Sequence, residues 1–312
     1  MSNIPTHWAN EMDWVLEIRH PIISSFFDLV TLLGYPTFLI LFICFGYVFF
    51  SSKLFSRLAI LLFISGLANS FLKDWAQDAR PALEYMLDPR TGTSYGWPSG
   101  HAQVAVTLWG LLALELRRRS VTIIALGLIV AISFSRLYLG VHDLGDVISG
   151  LIIGAGILAL WQVAVRMGVG RIFGSSNLLG LILLSHIIYW LVYPVHVEHA
   201  APVWFMGVMS GWFLGHAYLT KNIQMKGAAA PRLFIASLTT LIAFVSLVAT
   251  TRLHKKLQLA SGWDELASYG LGVGFALIVT WAVPWLLSQL NLANLGAFIE
   301  NTGNDKNAGS KP

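Results

Sequence analysis

The chain has 312 residues, of which 56% are hydrophobic and only 12% charged, with a mean hydropathy of +0.67, whereas soluble domains carry about 25% charged residues. That balance excludes an ordinary soluble enzyme and predicts a polytopic, all-α membrane protein. The net charge of +4 comes from basic residues scattered through short loops, which excludes a nucleic-acid stripe and reads instead as topogenic charge.

In chain order, residues 1–14 carry acidic and polar groups without a basic region leading into a short apolar run, so no cleavable signal peptide is expected. Residues 11–31 place Trp14, Ile18, Ile22 and Phe26 at helical spacing among Glu17, Arg19 and Asp28, the pattern of a helix lying in the membrane interface. Apolar stretches follow near 35–50, 58–72, 102–116, 121–138, 144–165, 177–193, 203–219, 233–251 and 266–288, which the length rule reads as about nine spans. Cys44 lies inside the first of them, so neither an intrachain disulfide nor a cysteine metal site is expected. The organisation expected is an interfacial segment over 1–34, a helical core over 35–170, further transmembrane helices over 171–290 and a solvated polar tail over 291–312.

Alternation of the spans puts Lys53, Arg57, Arg117 to Arg119, Arg166, Arg171 and the 221–232 loop on one side, which the positive-inside rule makes cytoplasmic. The segment 73–100 and the turn at 136–143 then face outward. A basic loop from Arg252 to Lys256 also falls on the outer side and runs against the rule.

Three clusters on that outer side carry chemistry. Lys73 and Arg80 stand seven residues apart, about two helical turns, so one helix face could present both cations to an anion, and Pro81 ends the helix behind them. Pro98, Ser99, Gly100 and His101 directly precede an apolar helix, so its free N–H groups and the Ser99 hydroxyl form an anion site, with His101 beside it as a proton donor to a leaving oxygen. His142 and Asp146 stand four apart at the start of the next apolar helix, the relation in which a carboxylate holds a nucleophilic imidazole. Asp143 competes for that role but points about 100° away around a helix. Arg136, after Ser135, adds a third cation. His186, His196, His199 and His216 read as packing or loop residues; only His196, Glu198 and His199 fall on the outer side.

Lys73-x6-Arg80-Pro81, Pro98-Ser99-Gly100-His101 and Ser135-Arg136-x5-His142-x3-Asp146 resemble the three-part signature of the type 2 phosphatidic acid phosphatase superfamily, which spans lipid phosphate phosphatases, undecaprenyl-diphosphatases, phosphatidylglycerophosphatases, glucose-6-phosphatases and vanadium haloperoxidases. The resemblance covers residues 73–146 specifically and about 58–165 by extension; nothing after 170 resembles a known pattern. It implies that Lys73, Arg80, Arg136, Ser99 and the Gly100 N–H hold phosphate. It further implies that His142 forms a phosphohistidine, Asp146 orients and charges it, and His101 protonates the leaving group.

Three cations and a helix N-terminus supply the charge a metal would bring, so neither metal nor cofactor is expected. The expected partner is a phosphorylated lipid, such as a polyprenyl diphosphate, phosphatidic acid or phosphatidylglycerol phosphate, in a bacterial inner membrane with the site facing the periplasm. Competing expectations are a soluble sugar phosphate, vanadate-dependent halide oxidation in the same pocket, or lipid transport past intramembrane charges. Oligomeric state is not legible.

Overall fold

The computed structural model describes residues 12–92, 94–168, 186–187, 189, 200–219, 224–226, 229–257, 263–289 and 298–300. The expected span at 177–193, together with His196, Glu198, His199 and the polar tail beyond residue 300, lies outside the described residues or nearly so. The chain is helical. Helices α1 (Asp13–Glu17), α2 (Pro21–Leu32), α3 (Pro36–Phe49), α4 (Ser52–Ala76), α5 (Gly100–Leu116), α6 (Arg119–Tyr138) and α7 (Leu144–Arg166) lead to α8 (Ala200–Leu219), α9 (Ala229–Leu257), α10 (Trp263–Leu277) and α11 (Val283–Gln289). Among the described residues five helical stretches are long and apolar enough to cross a membrane, or six if the α2–α3 pair, bent by 53°, forms one broken span.

The residues divide into two compact units. The first holds residues up to Leu39 and Ile60–Val169; the second holds Ile40–Ala59 and most of the chain after Gly170. Residues 40–59 thus group with the second unit rather than the first.

In the first unit α5 packs on both α6 and α7, and α2 packs on α6. Small residues let the α5 and α7 backbones approach, because the hydrophobic effect does not drive helix pairs together inside lipid and close packing must do so. A Cβ on Gly150 would lie 2.5 Å from the Ser99 carbonyl oxygen, and one on Gly154 2.6 Å from that of Gln103. The buried amide of Gln103 ties α5 to α4: its Nε2 donates to the Ser65 carbonyl (2.7 Å) and hydroxyl (2.9 Å), and its Oε1 accepts from Asn69 (3.0 Å). Gly154→Leu is therefore expected to cost about 1–3 kcal/mol through overpacking, measured as a lowered thermal midpoint in detergent. Gly156→Leu, on the same helix with nothing within 4 Å of its Cβ, should leave the midpoint unchanged.

The segment expected to form one interfacial helix over 11–31 folds as two, α1 and α2, with His20 accepting from the Ile22 N–H at the break. Phe27 sits 5.3 Å from Phe134 and 4.7 Å from Tyr138 by ring centroids, and the Tyr138 hydroxyl bonds the His20 N–H (3.0 Å). In the second unit α8 and α10 interlock through Gly207, Gly211 and Gly272, each against a facing backbone. His216 lies within 3.1 Å of the Ser56 hydroxyl, which accepts from Trp212 (3.1 Å), the packing role expected of it. Residues Gln224–Lys226 and Phe298–Glu300 form a short antiparallel ladder. Arg252 to Lys256, expected in a loop, belong to α9, which runs through them to Leu257.

Candidate active site

The site gathers where four helices of the first unit end. The C-terminal ends of α4 and α6 and the N-terminal ends of α5 and α7 meet there, because consecutive helices alternate in direction.

Two sequence arguments from helix periodicity need correction. Lys73 is on α4, but the helix stops at Ala76, and Gln77 takes a left-handed conformation at φ 50°. Arg80 therefore does not share a helix face with Lys73; it returns to it through the reversed chain. Likewise α7 begins at Leu144, with Asp143 as its N-cap, accepting from the Asp146 N–H at 2.8 Å. His142 precedes the helix. Asp146 in the first turn still reaches it, and the competing carboxylate, Asp143, is occupied as the cap.

Backbone carbonyls hold the first cluster. Lys73 Nζ donates to the Gly96 carbonyl (2.7 Å) and to that of Tyr95. Arg80 Nε and Nη2 donate to Ser94 (2.7 and 2.8 Å), and Nη1 to the Val141 carbonyl (2.7 Å). Burial, reinforced by the neighbouring Arg136 charge, lowers the Arg80 pKa.

The second cluster is built as expected. Ser99 is the N-cap of α5, and its N–H donates to the Asp146 carbonyl (3.0 Å). Its hydroxyl, however, is buried with no hydrogen-bond partner, and so is Nε2 of His101. Gly100 lies against Asn69, whose Oδ1 a Cβ would approach to 2.9 Å. Buried polar atoms are normally paired, and both of these unpaired atoms lie beside the N-terminus of α5.

His142 fixes the tautomer of the third cluster. Its Nδ1 lies 2.8 Å from Asp146 Oδ2 and its Nε2 3.3 Å from Arg80 Nη1. Arginine can only donate, so Nε2 carries the lone pair and Nδ1 the proton. Burial first, then the fields of Lys73, Arg80, Arg136 and His101, depress the His142 pKa well below that of a free imidazole. The neutral form therefore persists as pH falls through 6.5. The acid limb of kcat/KM, corrected for ionisation of the substrate itself, should accordingly lie below the free-imidazole range; a limb centred on it would mean that the ring is not shielded.

The structure thus brings Lys73, Arg80, Ser99, Gly100, His101, Arg136, His142 and Asp146 together. It adds four residues that the sequence reading missed. Thr31, Gly34 and Tyr35 form the corner between α2 and α3. Thr31 Oγ1 accepts from Arg136, and the Thr31 backbone hydrogen-bonds His101. Tyr35 stands edge-on to the His101 ring, with centroids 4.6 Å apart. A Cβ on Gly34 would overlap the His101 ring. Asp88 pairs with Arg136 at 3.0 Å. Burial alone would raise the Asp88 pKa, but hydrogen bonds from Arg90, Tyr35 and Arg136 hold it well below the usual carboxylate range. Gly34→Ala should displace the His101 ring and lower kcat by about tenfold or more, checked by turnover of protein that melts normally.

A family model described as the PAP2 superfamily matches residues 54–169. Phosphatidylglycerophosphatase B of Bacillus subtilis is 31% identical over 150 residues, covering 44% of this chain and 72% of that protein. Lipid A 4'-phosphatase of Bacteroides thetaiotaomicron is 33% identical over 102 residues, 30% of this chain and 45% of that one. Among solved structures, a transmembrane PAP2-type phosphatidylglycerolphosphate phosphatase from Bacillus subtilis aligns with 28% identity, 50% coverage of this chain and 83% of that chain, at a TM-score of 0.44. The chain belongs to the PAP2 superfamily. It is a multi-pass integral membrane protein and a phosphoric ester hydrolase.

Proposed function

We propose that the protein hydrolyses a phosphorylated lipid through a phosphohistidine on His142, without a metal. The observation that carries this reading is the His142 imidazole itself. Its Nδ1–H is tied to Asp146, and its Nε2 lone pair is turned toward Arg80.

Nε2 attacks phosphorus as the bond from phosphorus to the leaving oxygen breaks, and His101 Nε2–H gives its proton to that oxygen. Water then attacks phosphorus, His101 takes the proton of the water, the P–N bond breaks and phosphate leaves. Lys73, Arg80, Arg136, Ser99 and the Gly100 N–H balance the equatorial oxygens, and Asp146 steadies the imidazolium formed in the first step.

Lipid is the favoured substrate because the site residues lie at helix ends near exposed apolar side chains such as Leu83 and Leu144, where a head group could be held while its tail stays in the bilayer. The named relatives act on phosphatidylglycerophosphate and on lipid A. A bacterial inner membrane with the site facing the periplasm fits the charge pattern: Arg117, Arg118, Arg119 and Arg166 stand at the opposite ends of α5, α6 and α7 from the signature residues.

The test is phosphate release by purified protein in EDTA over a panel of phosphatidylglycerol phosphate, phosphatidic acid, undecaprenyl diphosphate, lipid A phosphate and a soluble sugar phosphate. Turnover of one or more lipids that persists in EDTA is expected. Activity confined to the sugar phosphate would reject the lipid assignment, and activity lost in EDTA but restored by Mg²⁺ would reject the metal-free mechanism.

A further inference from the structure

We propose that Asp88 is the positioning residue for Arg136, held for that task by Tyr35 and Arg90. The proposal rests on the reading of Arg136 as a phosphate ligand. Asp88 lies outside all three signature clusters, in the segment between α4 and α5, and Tyr35 lies before residue 54, where the family match begins.

Asp88 is among the most buried charged residues described, and all its bonds are accounted for. Oδ1 accepts from the Arg90 N–H (3.1 Å) and Nε (2.7 Å); Oδ2 accepts from the Tyr35 hydroxyl (2.6 Å) and Arg136 Nη1 (3.0 Å). Arg90 is anchored in turn by Asp28 and lies over the Tyr35 ring, 5.1 Å from its centroid. A carboxylate with four donors and no solvent has no freedom to move, so the Arg136 Nη1 that donates to it is fixed too. Thr31 Oγ1 accepts from the same Nη1. That end of the guanidinium is saturated, while Arg136 Nε remains buried without a partner.

An arginine fork held by one nitrogen presents its other donors in a set plane. An unpaired buried donor is costly unless something comes to meet it. The arrangement therefore aims Arg136 at a bound phosphate before substrate arrives. It does so with a carboxylate that keeps the buried cation neutralised while the pocket is empty.

The test is a double-mutant cycle on the full-length protein in detergent with a lipid phosphate substrate. Asp88→Asn keeps the shape and removes the charge. It should lower kcat/KM by about 10- to 100-fold, with most of the loss in kcat, and weaken inhibition by inorganic phosphate. Arg136→Lys should show comparable losses, and adding Asp88→Asn to it should cost less than about twofold more, because the residue through which Asp88 acts is already gone. If Asp88→Asn fails to fold, Tyr35→Phe removes only the 2.6 Å bond to the same oxygen. It should give a smaller loss that likewise disappears in the Arg136→Lys background.

Additive losses in the cycle would overturn the positioning role and leave the phosphate-site reading intact. Tighter phosphate inhibition with unchanged kcat in Asp88→Asn would also overturn it. If Arg136→Lys altered neither kcat nor phosphate inhibition, the reading beneath the proposal would fall with it.

Discussion

Purified His142→Ala protein is expected to lose turnover on every substrate by at least about 10⁴-fold, as removal of a covalent nucleophile does elsewhere, and to trap no acid-labile phosphoenzyme. The reason is geometric. Of the two site imidazoles, only His142 has one nitrogen tied to a carboxylate and the other turned into the field of Lys73, Arg80 and Arg136. His101 hydrogen-bonds the Thr31 backbone and feels the Asp88 carboxylate only through space, the oxygens of Asp88 being taken by Arg90, Tyr35 and Arg136. Acid and alkaline quenches of protein labelled with radioactive phosphate make the check, since a phosphohistidine is lost in acid and survives in base. Labelling of His142→Ala at the wild-type level would remove His142 from the nucleophile's role.

The signature residues were legible because the chemistry sits at helix ends, where a polar residue interrupts an apolar run. Lys73 at the end of α4, Ser99 and Gly100 at the start of α5, and Arg136 at the end of α6 could all be placed from the pattern alone. Periodicity was the weaker guide. It put Arg80 and His142 on helices, whereas both lie on the connecting chain, Arg80 after the left-handed Gln77 and His142 ahead of the Asp143 cap. The contacts survived the error because carbonyls of the loops, such as those of Val141 and Ser94, do the holding.

The corner from Thr31 to Tyr35 and its partner Asp88 left no such signal. Thr31 meets Arg136 across 105 positions of sequence, and Tyr35 meets Asp88 across 53, so no local spacing joins them. Within the corner, the buried Thr31 and the glycine at position 34 acquire meaning only once His101 is seen lying against them. Asp88 did carry one cue, an Asp-Pro step of the kind that caps a turn, and it does cap the short turn Pro89–Thr91. Such a step accounts for the local bond to Arg90 and carries no sign of the distant one to Arg136.

His101→Ala should behave differently from His142→Ala, because a general acid matters in proportion to the basicity of the oxygen it protonates. An alkyl phosphate expels an alkoxide, so loss of the acid should lower kcat by about 10²- to 10⁴-fold. A diphosphate expels a phosphate monoester, already stable as an anion, and its kcat/KM, which reports phosphoenzyme formation, should fall far less. The environment of His101 suits this role: its ring is fixed by the Thr31 backbone and the Tyr35 edge, while Nε2 remains buried without a partner. A proton on that nitrogen has no acceptor among the described residues and is free for the leaving oxygen. On the proposed mechanism His101 also draws the proton from water in the second step, so the variant should accumulate phosphoenzyme when given a diphosphate, where formation is spared and hydrolysis is not. The measurement is kcat/KM for a matched pair of alkyl phosphate and diphosphate, with the phosphoenzyme quantified in each. Equal losses on both substrates, with no accumulation of phosphoenzyme, would assign His101 to binding rather than to proton transfer.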